Sequence, residues 1–316
     1  MNNNIKVTVF CLTYNHEKHI RDALDGFVMQ KTDFAFEVFV HDDASTDNTA
    51  AIIREYEQKY PNIIKAVYQT ENQYSQKIPI IKTHLLPMAK GEYFALCEGD
   101  DYWTDPLKLQ KQYDFLSQNS EYMLCACKTT FCKLDDNSKH IFPAINKNCD
   151  YSFREILKHG GGLFATCSLM FKREVYITKP DCFKAKGFGD FQIYLYASIC
   201  GKVHCLNDLM CVYNSGVLGS WTARSANTDK KKIEHFLNLI TMFKNVDDYY
   251  NFKYHREISK KIKSLQFAIY KFSDDKSSYT VIQRIKFAFI ESKGKIASLI
   301  NKLCPSLISL KRKLFG

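Results

Sequence analysis

Three carboxylates directly behind a short apolar run constrain this chain more than any other feature. Residues 93–106 read YFALCEGDDYWTDP. Tyr93 to Cys97 suit a strand buried on both faces. Glu98, Asp100 and Asp101 follow at once, and Gly99 among them allows a tight turn. Negative charges so close repel one another. Such a cluster reads either as a solvated acidic turn or as a site where carboxylate oxygens hold Mg²⁺ or Mn²⁺. Tyr102, Trp103 and the turn-forming pair Asp105-Pro106 favour the second reading.

The residues before this stretch set its context. Residues 5–12, IKVTVFCL, are β-branched and aromatic, as a first buried strand requires. Thr13 to Glu17 end it with polar groups. Ile20, Leu24, Phe27 and Val28 recur at helical spacing within residues 17–30. Residues 36–41 form a second strand, closed by Asp42 and Asp43. Ser45 to Asn48 offer caps for a helix at 49–60, and residues 63–68 make a third strand. A short helix at 80–89 leads into the strand at 93. This alternation predicts a parallel sheet with helices on both faces. Ligands of such sheets bind beyond the carboxyl ends of the strands. The polar groups after strands one, two and four all fall on that edge. No GxGxxG follows the first strand and no GxxxxGK[ST] occurs, which argues against a dehydrogenase-type dinucleotide site and against a P-loop.

Further along, residues 107–118 read as a helix and 122–133 as a strand. Residues 134–150 read as a polar connection, 153–157 as a short helix, 160–162 as a glycine turn and 163–172 as a strand. A loop over 179–190 precedes an apolar helix over 191–200. Two short strands follow at 203–206 and 210–214. Residues 215–227 are rich in Gly and Ser but include Trp221 and Arg224. Residues 227–272 suggest one or two helices, with Phe236, Leu239, Ile240 and Phe243 on one stripe.

Charge is uneven. The net +10 comes from residues 230–316, where 19 Lys/Arg face 7 Asp/Glu, whereas the first 229 residues carry 25 basic and 27 acidic side chains. Residues 280–316 alternate basic and apolar positions, which fits either a helix on an anionic membrane surface or one packed on the body. Nucleic acid is not expected among the partners. Most of the twelve cysteines sit in apolar runs, and no CxxC pair supports a zinc site. Without a signal segment or an apolar run of about 18 residues, the expected location is cytoplasmic, peripheral at the inner membrane if the tail binds lipid. His16, His41 and His204 read as local structure.

The segments TYNHE, HDDASTDNT and FALCEGDDYWTDPLKLQKQ, in this order, resemble glycosyltransferase family 2, inverting enzymes of GT-A fold. The likeness is greatest to bacterial members that build surface polysaccharides, clear over residues 5–118 and thinner to about 221. The resemblance implies an α/β fold of GT-A type, a mostly parallel sheet with helices on both faces, over 1–226, with a nucleotide-binding half (1–118) and an acceptor half (119–226). Helical spacing and the basic excess, not the resemblance, give a helical basic extension over 227–316. The resemblance also implies that Asp43 contacts the nucleotide base, and that Leu12 and Thr13, with Tyr14, Asn15 and Glu17 behind them, line the same pocket. Asp101, with Asp100, would hold Mn²⁺ or Mg²⁺, and Asp100 would also face the ribose or the sugar. Asp190 would be the catalytic base, although Gly189 stands where the family usually has an acid. Trp221 resembles the loop that closes over the donor pyrophosphate, and Arg224 would add positive charge there.

The expected activity is transfer of a sugar from a nucleotide-sugar donor, a UDP-sugar, to a hydroxyl of a glycan or lipid-linked acceptor. Two other readings stay open. A nucleotidyltransferase would need a Gly-rich, Lys/Arg-bearing loop after strand one, and TYNHEKH is not one. A non-catalytic module could keep the nucleotide pocket without a working base.

Overall fold

The structure is a computed structural model that describes residues 4–185, 189–217 and 228–273. β1 (Ile5–Thr13), α1 (Ile20–Val28), β2 (Ala35–Asp42), α2 (Thr49–Lys59), β3 (Ile64–Tyr68) and β4 (Tyr93–Leu96) alternate as predicted. β1 lies between β2 and β4, β3 lies outside β2, and all these pairings are parallel. Side-chain alternation explains the unbroken apolar runs. Val7, Val9 and Cys11 pack under α1 and α2, while Phe10, Phe39 and Phe94 enter the core on the opposite face. Ile20, Leu24 and Phe27 form the buried stripe of α1.

The chain continues through β5 (Tyr102–Trp103), α3 (Lys108–Gln118), β6 (Tyr122–Lys133), β7 (Lys139–Phe142), β8 (Cys149–Tyr151), α4 (Phe153–His159), β9 (Met170–Lys172), α5 (Arg173–Ile177), α6 (Gly189–Cys200) and β10 (Lys202–Ser215). The sheet runs β3-β2-β1-β4-β9-β6-β10-β5, with β7 on β6 and β8 on β10. Its second half is mixed: β9 is antiparallel to β4 and β6, and β10 is parallel to β6. The parallel order read from the strand–helix alternation thus holds in the first half, and the antiparallel pairings lie in the second.

Several boundaries differ from the sequence reading, each for a local reason. The helix expected at 80–89 is one π-helical turn, Ile81–Leu85, hemmed between Pro79 and Pro87. The polar stretch 134–150 contains β7 and β8, edge strands too short and polar to show apolar alternation. Of residues 163–172 only the last three are strand. A 3₁₀ turn at Thr166–Ser168 precedes them, and Gln112 Nε2 donates to Ser168 O at 2.8 Å. A short apolar run does not distinguish a strand from a buried turn. The two strands expected at 203–206 and 210–214 are one, β10. Its register against β6 shifts between Leu206 and Cys211. Asn207 and Asp208, which look like a loop in the sequence, occupy that bulge and accept from Lys128 and Lys111.

Two long helices follow, α7 (Asp229–Tyr249) and α8 (His255–Phe272). Leu239, Ile240 and Phe243 of the predicted stripe are buried, and Phe236 packs partly buried against the same core. Phe243 meets Phe191 edge to face, with centroids 6.1 Å apart. The helix pair therefore shares the core of the sheet. Among the described residues no helix is long and apolar enough to cross a membrane, and every cysteine is a free thiol. The basic segment 280–316 lies outside the described residues.

Candidate active site

The carboxyl end of β1 anchors the acidic segments. Leu12 O accepts Gly99 N at 2.9 Å, and Thr13 O accepts Asp43 N at 3.0 Å. Thr13 lies in register with Asp42. Gly99 is required at its position. A Cβ there would approach Thr13 Cβ and Oγ1 to 2.7 Å, so any side chain would push the acidic turn off the strand end.

Glu98, Asp100 and Asp101 converge beside this anchor, and each offers an oxygen within 4.8 Å of the others. Asp100 and Asp101 are buried, whereas Glu98 is exposed. Asp101 Oδ1 accepts Asn214 N at 2.9 Å, while its buried Oδ2 has no partner. The Asn214 side chain holds Asp100 O at 2.7 Å, so the end of β10 fastens both aspartates. Among the described residues no lysine or arginine pairs with the three carboxylates. The single cation-capable neighbour is His16, with Nε2 3.9 Å from Asp100 Oδ2. Desolvation, then the charges of Asp100 and Glu98, drive the Asp101 carboxyl well above its ordinary range. Desolvation, Asp100 and Asp190 push Glu98 up to about 8. A clustered, desolvated donor set of hard oxygens with one orphaned buried lone pair fits a divalent cation.

Asp190 opens the first turn of α6 and lies close enough for its charge to act on Glu98. Its Oδ1 accepts Phe191 N at 2.6 Å. Desolvation nevertheless raises its pKa to about 6. The fold thus brings Asp190, from the second half of the chain, near acids from the first.

The other predicted positions divide. Leu12 and Thr13 line the strand end, and the buried Thr13 Oγ1 has no partner. Tyr14 is exposed. Asn15 and Glu17 face the loop after β2: Asn15 Oδ1 accepts Thr46 N at 2.7 Å, and Glu17 Oε2 accepts Asn48 N at 3.0 Å. Asn48 takes the N-cap position of α2 without a side-chain cap bond, and Asp47 Oδ1 accepts Thr49 N at 2.9 Å. Both oxygens of Asp43 are engaged by backbone, at Gln73 N and Tyr74 N. Asp43 therefore clamps the segment after β3. Its neighbour Asp42 keeps a buried oxygen without a partner, and desolvation raises its pKa. Trp221 and Arg224 lie outside the described residues. Sequence reading gave Asp42 no role apart from Asp43, took His16 as local structure and did not single out Asn214. Strand alternation could have separated Asp42 from Asp43, since neighbours on a strand point to opposite faces. Nothing local marks Asn214.

The profile of Glycosyl transferase family 2 matches residues 8–178, more than half of the chain. The chain belongs to this family. The matched residues take in the acidic turn and end before Asp190. An uncharacterised protein of Mycobacterium tuberculosis is 34% identical to this family 2 chain over 232 residues, 72% of the chain and 63% of the relative. The chain thus spans less than two thirds of that relative. Among solved structures, S. aureus TarS 1–349 in complex with UDP-GlcNAc superposes with TM-score 0.59 at 15% identity, covering 90% of this chain and 78% of that fragment. The mannosyltransferase PcManGT from Pyrobaculum calidifontis, in complex with GDP-Man and Mn²⁺, superposes with TM-score 0.52 at 17% identity, covering 94% and 81%. At these identities the likeness establishes the fold, which is that of GT-A glycosyltransferases.

Proposed function

We propose that this family 2 chain is an inverting, cation-dependent glycosyltransferase. It moves a sugar from a UDP-sugar to a hydroxyl of a glycan or lipid-linked acceptor in surface polysaccharide assembly. The observation that carries the reading is the convergence of Glu98, Asp100 and Asp101 within 4.8 Å, with the Asp190 charge near enough to act on Glu98. Asp101 and Asp100 would hold Mn²⁺ or Mg²⁺, whose chemistry is Lewis-acid stabilisation of the departing diphosphate. Nucleotide-sugar donors in two structural neighbours, one with Mn²⁺ beside it, support the substrate class.

The chain's own residues divide the remaining work. Leu12 and Thr13 form the floor of the nucleotide pocket. Asp43 shapes its wall by clamping Gln73 and Tyr74, and Asp42 offers the base an unspent oxygen. Asp190 accepts the proton of the acceptor hydroxyl as it attacks. Attack from the side opposite the diphosphate inverts the anomeric carbon. That is the reason base and metal acids come from distant parts of the chain. Trp221 and Arg224 would close over the diphosphate, and residues 280–316 would meet an anionic membrane surface.

The test is calorimetry of UDP binding with and without Mn²⁺, for wild type and Asp101→Ala. The expected result is Mn²⁺-enhanced binding that the variant loses. Equal enhancement in both proteins would remove Asp101 from the site.

A further inference from the structure

His16 follows β1 in the segment that zips onto the loop after β2. Asn15 takes a left-handed backbone (φ 56°) and turns the chain there. Its neighbours Asn15 and Glu17 are exposed, whereas His16 is 9% exposed. Three backbone bonds fix the residue. His16 N donates to Thr49 Oγ1 at 2.8 Å, and its carbonyl accepts His19 N at 2.9 Å and Ile20 N at 2.8 Å. The ring is thus held between the starts of α1 and α2, with Nε2 3.9 Å from Asp100 Oδ2.

Burial lowers the pKa of His16. Nδ1 is buried and has no partner. The acceptor facing the other nitrogen is Asp100. An N–H on Nε2 is therefore directed at that carboxylate. At 3.9 Å the contact is too long for a hydrogen bond, but such contacts shorten when ligand draws a site together.

Resting on the function proposed above, we infer that His16 is a positioning residue for Asp100: its Nε2–H closes on Oδ2 in the loaded site and orients the carboxylate toward the cation. A carboxylate beside a metal is commonly steered by such an outer partner, and removing one typically costs roughly 10–100-fold in metal affinity. A glutamine amide can reach where Nε2 stands, whereas leucine keeps the bulk without the donor.

The experiment titrates Mn²⁺ into protein with UDP present and follows the free Mn²⁺ signal by electron paramagnetic resonance. Wild type, His16→Gln, His16→Ala and His16→Leu are compared, each with its melting curve. The expected result is roughly 10–100-fold weaker Mn²⁺ binding in the Ala and Leu variants, near-wild-type binding in the Gln variant, and wild-type melting for Leu. If His16→Ala does not fold, the comparison of Leu with Gln decides. Binding equal to wild type in His16→Leu, or as weak in Gln as in Leu, overturns the role of His16 and leaves the cation site standing. Wild-type protein that does not bind Mn²⁺ overturns the cation reading, and this role with it.

Discussion

Asp190 shows how one carboxylate acquires a working pKa. Desolvation raises it, hydrogen bonding led by Phe191 N lowers it, and desolvation wins, leaving a value of about 6. A general base acts only when ionised, so kcat/KM should fall as pH drops below about 6 and level off above it. Asp190→Asn should lower kcat by about 10²–10⁴-fold while leaving UDP binding intact, as initial rates and calorimetry would reveal. An acid limb that survives in the Asn variant would belong to another group. The role proposed for Asp190 rests on family resemblance, because a lone Asp before an apolar helix is equally a cap. The division between Asp42 and Asp43 was less legible. Both end the same strand, but Asp43 spends its oxygens on Gln73 and Tyr74, from a segment thirty residues away.

At the scale of elements, the end of β1 is the fulcrum. Hydrogen bonds from Gly99 and Asp43 hang both acidic segments on two consecutive carbonyls. Gly99→Ala should therefore destabilise the fold by about 1–3 kcal/mol, as overpacking commonly does. Because the strain falls on the acidic turn, it should also weaken Mn²⁺ binding, measurable by denaturant melts and metal titration. A variant as stable as wild type with unchanged Mn²⁺ affinity would contradict the close approach to Thr13. The elements of the first half were readable because each has one clear period. β10 was not: its bulge places polar Asn207 and Asp208 inside a strand, so the pattern breaks where the backbone does not. Asn214 at its end then fastens the aspartate pair from 113 residues away.

For the whole molecule, the question is whether the C-terminal helices are attachment or core. Phe243 is fully buried and packs on Phe191, one residue after Asp190. Phe243→Ala should cost about 3–5 kcal/mol, a large share of the roughly 5–15 kcal/mol that holds a domain together. Thermal melting would register it as a loss for the entire protein; a separate early transition would mean that the helices unfold independently. Deleting residues 280–316 should instead spare the melting temperature and transfer to a soluble acceptor, while releasing the protein from vesicles containing anionic lipid. Unchanged sedimentation with those vesicles would refute the membrane role. The basic excess after residue 230 suggested a tail apart from the body, but charge counts do not register the buried stripe of α7 that joins it to the sheet.

Local order was in the sequence itself. Apolar periodicity wrote β1 through β4 and their helices, and the placement of polar residues at strand ends marked the edge where a ligand would sit, because both depend on neighbours a few residues apart. Only the folded chain decided which oxygen of which aspartate is left unpaired, which histidine turns inward, and that Asp190 comes near the acidic turn. Those outcomes depend on desolvation and hydrogen bonds between segments far apart in the chain, and no window of sequence contains both partners.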